Sequence, residues 1–209
     1  MHLIIFSGER SKRGANMKYY DITQELFSSN VYPGDKAPRY SRISDMNDGA
    51  VCNITELEMN AHNGTHIDAP RHFVRDGITI DEIPLDTLIG ECEVVTFDHD
   101  ITPSDLEWLL KTGHSMSRIL CRGGFSISSE AARLLGQYGV ILIGTERQSI
   151  APDGLTKQVH VDILSQGIIA AEGLVLRDVP DGRYTLFAAP LKLGGAEGSP
   201  CRAVLFTES

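Results

Sequence analysis

Histidine and aspartate are concentrated in one short stretch of the chain. Residues 62–72 contain three of the seven histidines, and the potential ligands in this stretch are His62, His66, Asp68 and His72. Imidazole nitrogens and carboxylate oxygens are donors that Zn²⁺ takes from proteins. Structural zinc sites normally close with four protein ligands, often including Cys, whereas catalytic sites keep a position open. The stretch therefore predicts a catalytic metal centre in preference to a structural one.

The conformation of residues 62–68 decides whether these donors converge. Gly64 and Pro70 disfavour a helix, and strand-forming residues precede the stretch at 54–59, so we predict an extended segment. Side chains alternate along a strand, which places the two histidines and the aspartate of this segment on one face. Pro70 ends the extended run and should turn His72 away from that face. His72 is then a free imidazole suited to acid–base catalysis.

Short β-branched runs bounded by Gly, Pro, Asp and Ser recur along the chain and predict strands. They lie at residues 20–22, 54–59, 92–97, 118–121, 140–143, 168–170, 174–176, 184–189 and 202–206. Helices are predicted at 102–111, 128–137 and 157–166. Thr102, Ser128 and Thr156 are the expected N-caps. Strands dominate the first half and alternate with helices in the second, which predicts a single α/β domain with a mixed sheet or barrel-like core and flanking helices.

Composition limits the classes of partner. The formal charge of −9 argues against a nucleic-acid or anionic-membrane surface, and no apolar run is long enough to span a membrane. The four cysteines are far apart and predict reduced thiols in a cytoplasmic protein. Residues 1–16 are expected to form a flexible N-terminal leader before a domain at 17–209.

The motif HNGTHIDAPRHF at residues 62–73 resembles the HxGTHxDxPxHF motif of the cyclase-like metal-dependent hydrolases, a family that includes bacterial kynurenine formamidases and isatin hydrolase. Further segments resemble the family at 31–35, before this motif, and at 76–84, 172–174 and 189–203, after it, in the order that the family shows. The resemblance covers nearly the whole chain from Met17. It implies a swivelling β/β/α fold and a homodimer or homotetramer.

The resemblance also implies a two-metal site, with zinc favoured and manganese as the alternative. The metal ligands it implies are His62, His66, Asp68, His160 and Glu172. Asp68 would bridge the ions, the first held with His62 and His66 and the second with His160 and Glu172. His72 matches the catalytic acid/base. Tyr32 and Phe73 are expected to contact substrate.

The activity implied is hydrolysis of a small amide by metal-activated water, similar to the arylformamidase reaction on N-formylkynurenine in tryptophan catabolism. Formamidases of this kind generally carry Trp where Tyr32 stands, so the substrate is less firmly implied than the reaction. Two alternatives stay open. One is a cyclic amide or lactone hydrolase similar to isatin hydrolase, or a cyclase. The other is a metal- or metabolite-binding protein without turnover.

Overall fold

A computed structural model describes residues 17–114 and 117–208 of the chain. The strands are β1 (Met17–Asp21), β2 (Arg39–Ser44), β3 (Ile54–Glu58), β4 (His66–Asp68), β5 (Ile89–Thr96), β6 (Arg118–Arg122), β7 (Leu142–Thr145), β8 (Ile169–Glu172), β9 (Gly182–Phe187), β10 (Gly198–Pro200) and β11 (Val204–Glu208). The α-helices are α1 (Leu85–Leu88), α2 (Pro103–Lys111), α3 (Ser129–Leu134) and α4 (Thr156–Leu164). The predicted leader, residues 1–16, lies outside the described residues.

Nine strands form one curled mixed sheet in the order β1-β11-β9-β5-β6-β7-β8-β4-β10. The strands β5, β6, β7 and β8 are parallel neighbours, and every other pairing in the sheet is antiparallel. Parallel neighbours need crossover connections, which α2, α3 and α4 lie on. The predicted α/β domain with a mixed, barrel-like sheet and flanking helices is confirmed.

Both faces of the parallel strands are buried, which explains their nearly continuous apolar sequences. One face packs inside the curl of the sheet and includes Val94, Leu120 and Leu142. The opposite face packs against the helices and includes Val95, Ile119 and Ile143. Successive residues of each strand point into different cores, so nearly every position is apolar. These runs therefore show neither the 3.6-residue spacing of apolar residues in a helix nor the alternation of apolar and polar residues in a half-buried strand.

The N-caps of two helices are the predicted residues, and the N-cap of the third is not. Thr102 caps α2 in a capping box with Asp105, and Ser128 caps α3 by accepting from the Ala131 amide. Thr156 does not cap α4, because it is the first helical residue and makes no side-chain cap bond. Its hydroxyl instead lies 3.1 Å from the Tyr32 hydroxyl. The predicted Thr156 cap is therefore wrong by one residue.

The strand predictions are wrong in two respects. Residues 174–176 form no strand and take part only in an isolated bridge between Thr23 and Leu174. Strands β2 and β10 have no counterpart among the predicted strands, and β4 is the last part of the extended segment predicted at 62–68. Strand β2 pairs with β3 in a separate hairpin whose residues are nearly all exposed.

Among the described residues, no helix is long and apolar enough to cross a membrane.

Candidate metal centre

His62 reaches the site from a turn, whereas the sequence pattern predicts a strand. Asn60 Oδ1 accepts from the His62 amide (2.8 Å), and Asn63 Oδ1 accepts from the Asn60 amide (2.9 Å). Gly64 has a φ of +66°, a left-handed conformation that a strand does not contain. Asparagine side chains that bond the backbone compete with strand pairing. The predicted extended segment therefore begins only at His66.

Strands β4 and β8 bring His66 beside Glu172. They pair antiparallel with these two residues opposite each other. His66 Nδ1 lies 3.0 Å from the Gly64 carbonyl oxygen and donates to it, which leaves Nε2 as the nitrogen available to a metal. That nitrogen is 3.5 Å from Asp68 Oδ1 and 3.5 Å from Glu172 Oε2. A histidine whose second nitrogen donates to a backbone carbonyl is oriented as metal-ligating histidines usually are.

Helix α4 supplies His160 in the same way. Its Nδ1 donates to the Thr156 carbonyl oxygen at 2.7 Å, so its Nε2 is the nitrogen available to a metal. This nitrogen lies 3.2 Å from Glu172 Oε1 and 3.5 Å from Asp68 Oδ2. His160 is 2% exposed, on the buried face of the helix. The crossover helix between β7 and β8 thus delivers its imidazole to the end of β8.

Asp68 lies at the centre of the donor cluster. Its Oδ1 is 2.8 Å from His62 Nδ1, and its Oδ2 is buried with no hydrogen-bond partner among the described residues. A buried carboxylate oxygen without a donor is costly unless a cation compensates its charge. The imidazole nitrogens around it are the ligands that Zn²⁺ and Mn²⁺ accept together with carboxylates. The residues present therefore fit a divalent metal ion.

Two groups of three donors have all their ligand atoms within 4.8 Å of one another. The first group is His62, Asp68 and His72, and the second is His66, Asp68 and Glu172. Both contain Asp68, as a bridging carboxylate would require. The partition differs from the implied one, which pairs His66 with His62 and includes His160 in the second set.

The charges of the cluster favour a cation between its donors. Burial lowers the pKa of His66 and of His160, but the hydrogen bonds and charges of Asp68 and Glu172 outweigh burial and raise these values to about 9 and about 10. Burial raises the pKa of Asp68, yet its interactions with His160 and His62 hold that pKa well below the usual range. Both carboxylates are consequently ionised at neutral pH, and positive charge is stabilised at the nitrogens that face them.

His72 lies against the cluster. It ends a 3₁₀ turn that begins at Pro70, and its ring stacks on the His62 ring with centroids 4.1 Å apart and an interplanar angle of 28°. The expectation that Pro70 turns it away from the ligands is wrong, because the tight turn folds the chain back over them. Burial lowers the pKa of His72, and the nearby His62 and His160 lower it further against the opposing charge of Asp68.

The two predicted substrate residues lie near α4. The Phe73 ring is 4.8 Å from the His160 ring and 4.3 Å from the His72 ring, measured between centroids. Tyr32 contacts the start of the helix through its hydroxyl, 3.1 Å from Thr156 Oγ1. Both side chains are partly exposed, so they border the buried donors.

Two polar residues that the sequence analysis did not single out also contact the site. Gln148 Nε2 donates to the Gly64 carbonyl at 2.7 Å and the His62 carbonyl at 3.2 Å, which fixes the turn. Glu197 Oε1 lies 3.3 Å from His62 Nε2. Glu197 falls within the matching stretch 189–203, which was the available signal, whereas nothing in the sequence distinguishes Gln148.

The curled sheet and the buried donors define an α/β protein with a candidate divalent metal site. The chain belongs to the cyclase family, since the family model described as "Putative cyclase" matches residues 20–152. A kynurenine formamidase from Erythrobacter litoralis (strain HTCC2594) is 35% identical over 205 residues, which cover 90% of this chain and 93% of the relative. The resemblance drawn from the motif is thereby confirmed.

Solved structures agree with this assignment. "The Structure Of Potential Metal-Dependent Hydrolase With Cyclase Activity" matches with a TM-score of 0.80 and 31% identity, covering 92% of this chain and 99% of that one. Isatin hydrolase A from Labrenzia aggregata, bound to benzyl benzoate, matches with a TM-score of 0.81 and 24% identity, covering 92% of this chain and 94% of that one. At 24% identity, the likeness to isatin hydrolase A shows a shared fold.

Proposed function

We propose that this chain is a metal-dependent hydrolase of small amides, acting on a carbon–nitrogen bond other than a peptide bond. The substrate it fits best is an aryl formamide of the N-formylkynurenine type. The observation that carries the proposal is Asp68, a fully buried carboxylate surrounded by imidazole nitrogens, one of whose oxygens has no hydrogen-bond partner in the described part of the chain. The 35% identity to a kynurenine formamidase supports the substrate class.

The metal ligands in this proposal are His62, His66, Asp68, His160 and Glu172. These residues would hold two ions per subunit, with Asp68 contributing to both sets of ligands, and we favour zinc over manganese because imidazole predominates among the donors. A divalent ion held there would lower the pKa of water towards roughly 7 and would polarise a carbonyl group.

His72 is the proposed acid/base. Within the described ranges its ring contributes ring contacts and no hydrogen bond, so its nitrogens are available to a ligand. Its lowered pKa keeps the ring neutral at neutral pH, the form that accepts a proton. It takes a proton from the attacking water and returns one to the departing amine nitrogen as the carbon–nitrogen bond breaks, so formate and the free arylamine leave.

A cyclic amide is the second candidate substrate. Tyr32 stands where formamidases of formylkynurenine generally carry Trp, and its hydroxyl contacts Thr156 beside the site. The same proton transfers open a ring when the leaving amine remains tethered to the product. Tyr32 and Phe73 would then border the aryl group of either substrate.

The test combines metal analysis with a substrate panel. The purified protein should contain up to two equivalents of divalent metal, lose activity when a chelator removes it, and regain activity with Zn²⁺ or Mn²⁺. The panel comprises N-formylkynurenine, formanilide, isatin and a lactone. Turnover of isatin alone would favour the cyclic-amide candidate. Bound metal without turnover of any panel member would instead support a binding protein.

We further propose a homodimer or homotetramer in the cytoplasm. The separate β2–β3 hairpin exposes Tyr40 (56%) and Leu57 (55%) side by side, which supports an interface between subunits. The cysteines are all free, which supports a reducing compartment. Light scattering coupled to gel filtration measures the subunit count, and a monomer at micromolar concentration would contradict this assembly.

A further inference from the structure

The His62 ring is confined by its neighbours. His72 stacks on it, with ring centroids 4.1 Å apart. Gly198 lies so close that a Cβ there would be 2.7 Å from His62 Cε1 and 3.2 Å from Nδ1. Any side chain at position 198 would press on this ring and, at 3.0 Å, on the Ile67 carbonyl oxygen, so the absence of one allows the ring to pack on the backbone of β10.

Each nitrogen of His62 faces a different carboxylate. Nδ1 is 2.8 Å from Asp68 Oδ1, and Nε2 is 3.3 Å from Glu197 Oε1. A neutral imidazole has one hydrogen, which donates either to Asp68 or to Glu197. Only the second tautomer leaves Nδ1 bare beside Asp68, where a ligand nitrogen is required.

The backbone fixes Glu197 relative to Asp68. The Glu197 carbonyl oxygen accepts from the Ala69 amide at 2.9 Å, and Gly198 is paired with Asp68 in the β10–β4 ladder. The Glu197 side chain is 45% exposed, whereas the Asp68 side chain is 1% exposed. Glu197 therefore contacts the outer edge of the imidazole and not the buried space between the donors.

We propose that Glu197 is a positioning residue for the metal centre, accepting the Nε2 hydrogen of His62 so that Nδ1 is presented bare beside Asp68. Gly198 also contributes, because the absence of a side chain there leaves room for the His62 ring. The inference rests on the proposed metal centre but is independent of the substrate. It adds a residue that the ligand motif at 62–73 does not contain.

The first test measures Zn²⁺ affinity of the metal-free protein by competition with a chromogenic chelator. Glu197→Ala removes the acceptor and should weaken binding about 10- to 100-fold. Glu197→Gln keeps a carbonyl acceptor without the charge and should bind nearly as tightly as wild type. Glu107→Ala, at a carboxylate 55% exposed on α2, is the matched control and should not change affinity. Equal loss in the Gln and Ala variants, or no loss in the Ala variant, would overturn the inference.

The second test observes the tautomer directly. In the Zn²⁺-loaded protein, ¹H–¹⁵N spectra of the imidazoles should show His62 with its hydrogen on Nε2, and Glu197→Ala should accelerate exchange of that hydrogen with water. A hydrogen on Nδ1 in the loaded wild type would refute the proposed role.

A glycine pair tests the steric part. Gly198→Ala should weaken Zn²⁺ binding, whereas Gly194→Ala, where a Cβ meets nothing closer than 4.0 Å, should not. Equal affinity in both would contradict the role of Gly198. Failure of the wild type to bind Zn²⁺ would instead refute the metal centre itself, so the two failures are distinguishable.

Discussion

At the scale of single residues, Asp68 joins the two halves of the donor cluster. Its Oδ1 faces His62 and His66, while its Oδ2 faces His160. The motif predicted that Asp68 would be a ligand, and strand alternation explains its shared side with His66. His62 could not be placed this way, because side-chain bonds from Asn60 and Asn63 bend the chain. His160 and Glu172 are too distant in sequence for local spacing to indicate them, so they rested on family resemblance.

Asp68→Asn should abolish most metal binding while leaving the shape of the side chain intact. The neutral amide cannot offset the charge of a divalent cation. Its NH₂ group also replaces one of the two carboxylate oxygens, so one potential metal ligand is lost. Metal content after dialysis, measured by mass spectrometry, should fall well below that of wild type. Asp178→Asn, at an exposed carboxylate, should retain full metal content. Normal metal content in the Asp68 variant would contradict a bridging role.

His72→Ala should retain metal and lose turnover. General acid–base catalysis by a side chain contributes about 10²- to 10⁴-fold, so kcat should fall by that order with metal content unchanged. His99→Ala is the control, at a histidine whose side chain is 53% exposed. Because His72 lies in one of the three-donor groups, loss of metal from this variant would show that it is a ligand and not the acid/base.

At the scale of elements, the site depends on close approach of the turn before β4 to the end of β8. Gly173 follows β8 with a φ of +66°, and a Cβ there would lie 2.5 Å from the Gly64 carbonyl oxygen. That carbonyl also accepts from His66 and from Gln148. The sequence could not reveal this contact, because it joins residues over a hundred positions apart.

Gly173→Ala should therefore be far more damaging than Gly154→Ala. Both positions have positive φ, so each variant incurs about 1–2 kcal/mol of backbone strain. A Cβ at Gly154 meets nothing within 4 Å, whereas at Gly173 it collides with backbone. Urea denaturation should show a loss of about 3 kcal/mol or more for Gly173→Ala. Equal losses would mean that β8 and the turn can separate without cost.

Helix α2 offers a pH-dependent test away from the site. Burial raises the pKa of Asp105, but its bonds with Thr102 and with His99 outweigh burial and lower it. A carboxyl with a lowered pKa in the folded state stabilises the fold above its unfolded value, near pH 4, and loses that contribution as pH falls through its folded value. Asp105→Ala should cost about 1 kcal/mol at neutral pH.

The measurement is the free energy of unfolding of wild type and variant from pH 7 down to pH 3. The difference for Asp105→Ala should shrink below pH 4. Glu107→Ala on the same helix should cost less than about 0.5 kcal/mol throughout, as expected of an exposed ion pair with Lys111. A difference for Asp105→Ala that is constant over the range would exclude a contribution from its charge.

At the scale of the whole molecule, the proposed metal should act as a cross-link between distant segments. Its ligands come from the turn and β4, from α4, and from β8, so the ion would join segments that are far apart in the sequence. With free Zn²⁺ at 100 times its dissociation constant, linkage adds about 2.7 kcal/mol of stability. The melting temperature should rise by roughly 5–10 °C over the metal-free protein in scanning calorimetry. An unchanged melting temperature would contradict selective binding to the folded state.

The parallel strands and the mixed sheet could be predicted from the sequence, because the parallel strands carry long apolar runs that are buried on both faces. Strand β10 could not be predicted, since it has three residues and is defined by its neighbours, and β4 is shorter than the extended segment predicted at 62–68. The hairpin β2–β3 was half predicted, because β3 has β-branched residues and β2 has polar ones. Short strands defined by pairing are visible only in three dimensions.

The pairing of residues 198–208 has a consequence for biosynthesis. Residues 198–208 form β10 and β11, and these pair with β4 and β1 near opposite edges of the sheet. Strand β4 therefore lacks one neighbour, and β1 its partner, until residues 198–208 have left the ribosome. Such long-range pairing makes folding slow and leaves unpaired strand edges exposed in the nascent chain. Translation that stops before residue 198 would release a chain prone to aggregation.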